Sequence, residues 1–238
     1  MDKPGFFELM GFGPAGWGPA LLTAALMTIA VAGTGYVIGS CLGMLLAWAR
    51  ISGGRLLRGF AGTYTTVLRG IPDLLVIYLF YFGGSILLTR MARGLGYEGF
   101  VDLPGFAAGS MAIGIVSAAQ HAEVYRGAYR AVAVGEIEAG LAVGMSRLML
   151  FRRIILPLTA RHALPGMGNV WQITLKESAL VSVTGVVELV RQAQIGAGST
   201  RQPFYFFFAS AVLFLVITWG SGLILNRAER HANRGVRR

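Results

Sequence analysis

The sequence predicts an all-α integral membrane protein of about five transmembrane helices, with its N-terminus outside the cell and its C-terminus inside. Three observations predict it. The 238 residues are 55% hydrophobic and only 13% charged, where soluble domains carry about a quarter charged residues. Mean hydropathy is +0.62, and long apolar runs recur along the chain. The Lys and Arg residues give a net charge of +10 and a pI near 10.5, and they gather beside alternate ends of those runs. In a soluble protein such basicity points to nucleic acid; here membrane topology accounts for it, and nucleic acid is not an expected partner.

A helix rising about 1.5 Å per residue needs roughly 20 apolar residues to cross about 30 Å of hydrocarbon. The first run, about 21–49, holds no charge and ends at Arg50. It follows Asp2, Lys3 and Glu8 and exceeds the roughly 7 to 15 apolar residues of a signal-peptide core, so it is expected to be retained. Gly35, Gly39 and Gly43 share one face of this helix, and Gly109 and Gly114 fall in the third run; small residues of this kind let helices pack closely in lipid. The second run, about 60–88, is interrupted by Arg69, Pro72 and Asp73. The third covers about 105–132, the fourth about 164–190 with Lys176 and Glu177 near its middle, and the fifth about 204–225. A connection, about 134–163, separates the third from the fourth. The whole chain, 1–238, is expected to form a single transmembrane domain.

Orientation follows from the basic residues, which stay on the cytoplasmic side. Arg50, Arg55 and Arg58 follow the first run, and Arg126, Arg130, Arg147, Arg152, Arg153 and Arg161 lie at or after the end of the third. Arg227, Arg230, Arg234, Arg237 and Arg238 form the tail. The opposite edges hold only Lys3, Arg90, Arg93, Arg191 and Arg201. Cys41 is the only cysteine and lies in an apolar run, which excludes an internal disulfide framework. No carboxylate pair, Ser/His/Asp set or His-rich spacing points to catalysis or to a metal site.

The connection reads EIEAGLAVGMSRLMLFRRIILPLTARHALP. It is too polar at its start to cross a membrane and too apolar for a plain linker. Ile137, Leu141, Leu148 and Phe151 recur at helical spacing, with Glu138 early and Arg147, Arg152 and Arg153 late, so a short amphipathic helix closed by Pro157 is expected. Composition leaves two uses open: lying on anionic lipid, or docking into a partner's groove.

EAGLAVGMSRLMLFRRIILP resembles the EAA loop of binding-protein-dependent ABC importers, which reads EAA-x-x-x-G and ends in I-x-LP. Glu138, Ala139, Gly144, Ile154, Leu156 and Pro157 occupy the matching positions, and Gly140 replaces the second Ala. TYTTVLRGIPDLLVIYLFYFG, AEVYRGAYRAV, RHALPGMGNVWQITLKESALVSVTG and STRQPFYF are similar to the amino-acid permease branch. More narrowly, they resemble the Q-type subunit of histidine and opine uptake systems. The resemblance implies a MetI-like ABC type I permease fold in the bacterial inner (cytoplasmic) membrane. It implies transport of basic amino acids such as histidine, arginine and lysine, or of opines such as octopine and nopaline. The implied partners are a second, M-type permease subunit (or a second copy), two ATPase subunits and a periplasmic solute-binding protein. Glu138, Ala139, Gly144, Arg147, Ile154, Leu156 and Pro157 would couple to the ATPase. The sequence holds no GxxxxGK[ST] loop, so ATP and Mg would be bound by the partner ATPase and this chain would be non-catalytic.

Ionisable groups inside hydrocarbon cost at least about 2.5 to 3.5 kcal/mol each and are functional candidates. Arg69 and Asp73 are expected to pair at a helix break. Gln120, His121, Glu123, Trp171, Lys176 and Glu177 are candidates for a substrate path. Gln120 and His121 replace residues common in the family, and Glu177 stands where a small polar residue is usual. Each has a structural reading beside the functional one: Glu123 can neutralise Arg126 at i+3, His121 can be a buried hydrogen-bonding group, and Lys176 can pair across helices. An ion-coupled secondary amino-acid transporter using Asp73, Glu123 or Glu177 is the alternative, followed by a membrane scaffold with no solute path.

Overall fold

The computed structural model describes residues 5–14 and 16–232; Asp2, Lys3, Arg234, Arg237 and Arg238 lie outside the described residues. All regular elements among the described residues are helical. They are α1 Phe6–Met10, α2 Gly18–Ser52, α3 Arg55–Gly70, α4 Asp73–Gly94, α5 Gly105–Arg130, α6 Val134–Ala142, α7 Arg147–Leu150, α8 Leu156–Glu177, α9 Leu189–Thr200 and α10 Pro203–Ala232. Wide, π-type turns occupy Leu79–Gly83 within α4 and Phe151–Ile155 between α7 and α8.

Three of these helices, α2, α4 and α10, are long and apolar enough to cross a membrane by length and composition. The 35 residues of α2 extend about 52 Å, more than the hydrocarbon layer, so in a bilayer it tilts or projects. Only 6% of the most apolar stretch of α10 is buried within the chain. Its Leu215, Trp219 and Ile224 lie exposed, an apolar surface that water would not tolerate. The helices carrying the expected third and fourth spans are less apolar. α5 buries Ala108, Ala112, Val116, Ala118 and Ala122, so protein rather than lipid surrounds it, and polar residues are tolerated along it.

Two expected spans are not single helices. The stretch 60–88 is broken at Ile71, whose backbone is extended, because Pro72 disfavours helical geometry in the residue before it. The stretch 164–190 leaves α8 at Glu177 and tightens into a 3-10 turn over Ser178–Thr184. There the Ser178 hydroxyl donates to the Leu175 carbonyl (2.7 Å) and the Thr184 hydroxyl to that of Val181 (2.8 Å). Such local bonds draw carbonyls from the helical ladder, and Gly185 at φ +84° turns the chain away.

The chain falls into two compact units whose boundaries lie within α2, α5, α8 and α10 and at the Ile71–Pro72 break. The first takes the chain up to Gly35 with Pro72–Ile113 and Ile173–Gly220. In it Leu9, Ala193 and Phe206 form a buried cluster, and Phe6 meets Tyr205 edge to face at 5.5 Å, seating α1 on α10. The buried start of α9 has its free amides satisfied. The fully buried Glu188 carboxylate accepts from Val190 N (2.9 Å) and Arg191 N (2.7 Å), and Thr28 Oγ1 accepts from Leu189 N (3.2 Å). Gly35 of α2 packs on Ile113 of α5.

The second unit takes Tyr36–Ile71, Gly114–Gln172 and the chain from Ser221. Here Gly39 meets Ser117 and Gly114 of α5, and Gly43 meets His121, Ala118 and Ala122. A Cβ on Gly43 would lie 2.5 Å from His121 Cβ and 2.9 Å from the Ala118 carbonyl oxygen; neither can swing aside. Gly43→Ala is therefore expected to cost about 1–3 kcal/mol and lower the melting midpoint of the detergent-purified chain. Gly33→Ala, where a Cβ meets nothing within 4 Å, should leave the midpoint in place.

Candidate functional site

Both regions described first belong to the second unit. The connection is not one helix closed by Pro157 but two helices and a turn. α6 ends where Gly144 adopts φ +77°. Gly144 N bonds to Leu141 O (3.0 Å) and Met145 N to Gly140 O (3.1 Å), the paired bonds of a Schellman ending that favours glycine at the left-handed position. Ser146 then caps α7, its side chain accepting from Met149 N at 3.3 Å. Gly140, which replaces the second alanine of the EAA pattern, faces the side-chain ends of Leu150 and Ile154, so the missing methyl lets α6 lie close to the following helix. Pro157 sits inside the helical path. Its ring and missing N–H disturb the carbonyl four residues back, and the widened turn Phe151–Ile155 relieves that conflict.

Glu138, Ala139, Gly144, Arg147, Leu156 and Pro157 are exposed and Ile154 is half-buried. Ala139, Ile154 and Pro157 line an open groove of about 590 Å³ together with Glu136, Arg153 and Arg161. Leu141, Val143, Leu148 and Phe151 stand exposed nearby in the chain. Apolar surface rimmed by both signs of charge suits a protein partner better than water.

The second region surrounds Glu123. Arg50 and Arg126 both form ion pairs with its carboxylate, Arg126 Nε at 3.0 Å from Oε2, and Arg50 Nη1 also donates to Thr65 Oγ1 at 3.2 Å. A cavity of about 300 Å³ is lined by Arg50, Thr65, Thr66, Arg69, Gly70 and Glu123. Sequence spacing anticipated the Arg126 pair but not Arg50, because 73 residues separate it from Glu123 and no periodicity spans that distance. The expected Arg69–Asp73 pair is corrected. The break at Ile71 ends α3 before Asp73 begins α4, and the ion pairs among the described residues are those of Glu123.

Of the other path candidates, His121 and Trp171 are brought together through Tyr36, whose ring meets them edge to face at 4.8 and 5.5 Å. His121 is fully buried with Nδ1 2.9 Å from Ser117 O. Its Nε2, Gln120 Oε1 and Trp171 Nε1 are buried without a hydrogen-bond partner among the described residues. Lys176 is exposed and Glu177 half-buried, and both belong to the first unit. The arginines on Glu123 give the second region its prediction. Glu123→Gln leaves two guanidiniums without their counter-charge; at 22–24% side-chain exposure the loss is expected near 1–3 kcal/mol. It would appear as a lower melting midpoint in detergent, and adding Arg50→Gln should cost less than the two single losses together.

The sequence matches the family model described as "Binding-protein-dependent transport system inner membrane component" over residues 39–238. It is 57% identical over 234 residues to the octopine transport system permease protein OccQ of Rhizobium meliloti, covering 98% of this chain and 99% of that protein. It is 38% identical over 223 residues to the histidine/lysine/arginine/ornithine transport system permease protein HisQ of Escherichia coli (strain K12), covering 94% of this chain and 97% of that one. The fold superimposes with a TM-score of 0.77 on a chain from the crystal structure of an amino acid ABC transporter with histidines, at 31% identity over 90% of this chain and 95% of the other. The all-helical fold is therefore that of ABC permeases, and the chain belongs to the binding-protein-dependent transport system inner membrane component family.

Proposed function

We propose that this chain is a membrane subunit of an ATP-driven importer that moves basic amino acids, such as histidine, arginine or lysine, or opines such as octopine into the bacterial cell. The family and its near full-length relatives support the solute class. The observation that carries the coupling role is the exposed α6–α7 corner, where Gly144 holds a left-handed turn between two short helices bearing Leu141, Val143 and Leu148 on the surface. Apolar side chains on a stiff corner transmit displacement where a flexible loop would absorb it.

The chain crosses the inner membrane five times, the connection facing the cytoplasm. The second span runs through the α3–α4 break and the fourth leaves the membrane by way of the 3-10 turn. A second permease chain, of M type or another copy, completes the solute path; two ATPase subunits bind ATP and Mg²⁺ and dock at Glu138 to Pro157, and a periplasmic binding protein delivers solute. This chain catalyses nothing itself. Gln120, His121 and Trp171, whose buried polar atoms find no hydrogen-bond partner among the described residues, lie along the path with Lys176 and Glu177.

The test is uptake of radiolabelled L-arginine and octopine into proteoliposomes holding the chain with its partner chains. Accumulation should require internal ATP and external binding protein. Gly144→Val forces a branched side chain into left-handed geometry at about 1–2 kcal/mol and should lower uptake at least about tenfold while the assembled chain stays in the membrane. Uptake driven by an ion gradient without ATP would replace this reading with a secondary transporter.

A further inference from the structure

The cavity beside Glu123 has an imbalance that its ion pairs do not settle. Arg50 and Arg126 pair with the Glu123 carboxylate and Arg69 lines the same cavity, so the region carries two more positive charges than negative ones. Arg50 and Arg126 are engaged with Glu123, whereas Arg69 has no hydrogen bond or ion pair among the described residues. Thr65 is committed too, donating to Gly62 O at 3.0 Å and accepting from Arg50. The Thr66 hydroxyl makes no hydrogen bond among the described residues. The wall thus presents one unpaired guanidinium and one unpaired hydroxyl.

Local structure explains why these donors face an open space. Ala61, Thr65 and Arg69 follow one another at i, i+4 and i+8 on a single face of α3, and that face buries Ala61 and Thr65. The opposite face carries Leu56, Phe60 and Val67, all exposed. Pro72 ends the helix directly after Arg69, and Gly70 closes the cavity wall without a side chain to fill it. Excess cationic charge in a segment embedded in a membrane demands a counter-ion. A guanidinium's planar fork matches an oxyanion held by two parallel bonds, and about 300 Å³ suits a small molecule or one end of one.

We propose that this cavity is an oxyanion site in which Arg69 and Thr66 receive the carboxylate of the transported solute, with the Arg50–Glu123–Arg126 cluster as its fixed wall. The inference rests on the importer reading above and adds a named contact to it. Amino acids and opines carry the required carboxylate. A phospholipid headgroup phosphate is the other source of an oxyanion, and lipid composition separates the two.

The experiment uses the complete importer in proteoliposomes, with saturating binding protein and radiolabelled L-arginine. Uptake and solute-stimulated ATP hydrolysis are read together for the wild type, Arg69→Gln, Arg69→Lys and Thr66→Val. Arg69→Gln should lower uptake about tenfold, the scale of one charge-assisted hydrogen bond, and Thr66→Val a few-fold. Arg69→Lys, which keeps the charge but loses the planar fork, should fall between the wild type and Arg69→Gln, with the ATP hydrolysis stimulated by the binding protein preserved in all three. The same defect should appear in vesicles made only of digalactosyldiacylglycerol, a lipid without phosphate. Wild-type uptake by Arg69→Gln overturns the proposal, as does loss of ATP hydrolysis together with uptake in both Arg69 variants, which is a structural effect. A wild type that falls to the Arg69→Gln rate only when phospholipid is omitted assigns the site to a lipid phosphate and also overturns it. Wild-type uptake is measured first. Its absence sinks the importer reading, whereas its presence with an inert Arg69→Gln sinks only the carboxylate site.

Discussion

The close approach of α2 to α5 is the contact on which the second unit depends. Gly39 and Gly43 bring the backbone of α2 against Ser117, Ala118 and His121, so that main chain and small side chains touch where larger residues would hold the helices apart. The pairing is parallel, since the contacts of α2 and α5 advance together along both helices. It buries His121 under Gly43, and it brings the end of α2 to the level where Arg50 reaches Glu123. Ser40 Oγ and Tyr125 OH, 2.6 Å apart, tie the same faces together, and Tyr36 OH donates to Met167 O of α8 at 3.2 Å.

That packing has an electrostatic consequence. In hydrocarbon a charge is tolerated when a partner and hydrogen bonds replace its water. Glu123 meets this condition twice over, through Arg50 and Arg126, and Arg69 lines the cavity beside it. The α6–α7 corner is built on a different principle. It has a glycine-dependent turn and apolar side chains left exposed, with charged groups of both signs at the rim. One region is thus held by ion pairs, and the other carries its apolar side chains on a glycine-dependent turn.

Much of this was legible in the sequence because it is local. Composition fixes the membrane class, the spacing of Gly35, Gly39 and Gly43 marks a packing face, and Pro72 announces a break. The resemblance of Glu138–Pro157 to the EAA loop located the connection and led to the family. What could not be read depends on contacts between distant residues or on unusual turns. Arg50 looked like a topology marker until folding placed it on Glu123. Pro157 looked like a helix end because a widened turn upstream leaves no spacing signature. Glu188 passed unnoticed because Ser, Thr, Asp and Asn are the usual helix caps, and only the fold shows its carboxylate buried at the start of α9. Arg69 and Asp73 obey the i+4 rule in sequence, but the rule assumes a continuous helix that Pro72 removes.

The central claim is that this chain functions only as part of a larger assembly joined to it through the α6–α7 corner. The most direct test is to express it with its neighbouring genes, extract the product gently from the membrane and weigh it by native mass spectrometry. The account predicts one particle containing two permease chains and two ATPase chains, which loses the ATPases when the corner is disrupted. A folded chain that emerges alone, binds solute and gains no ATPase partner would contradict it.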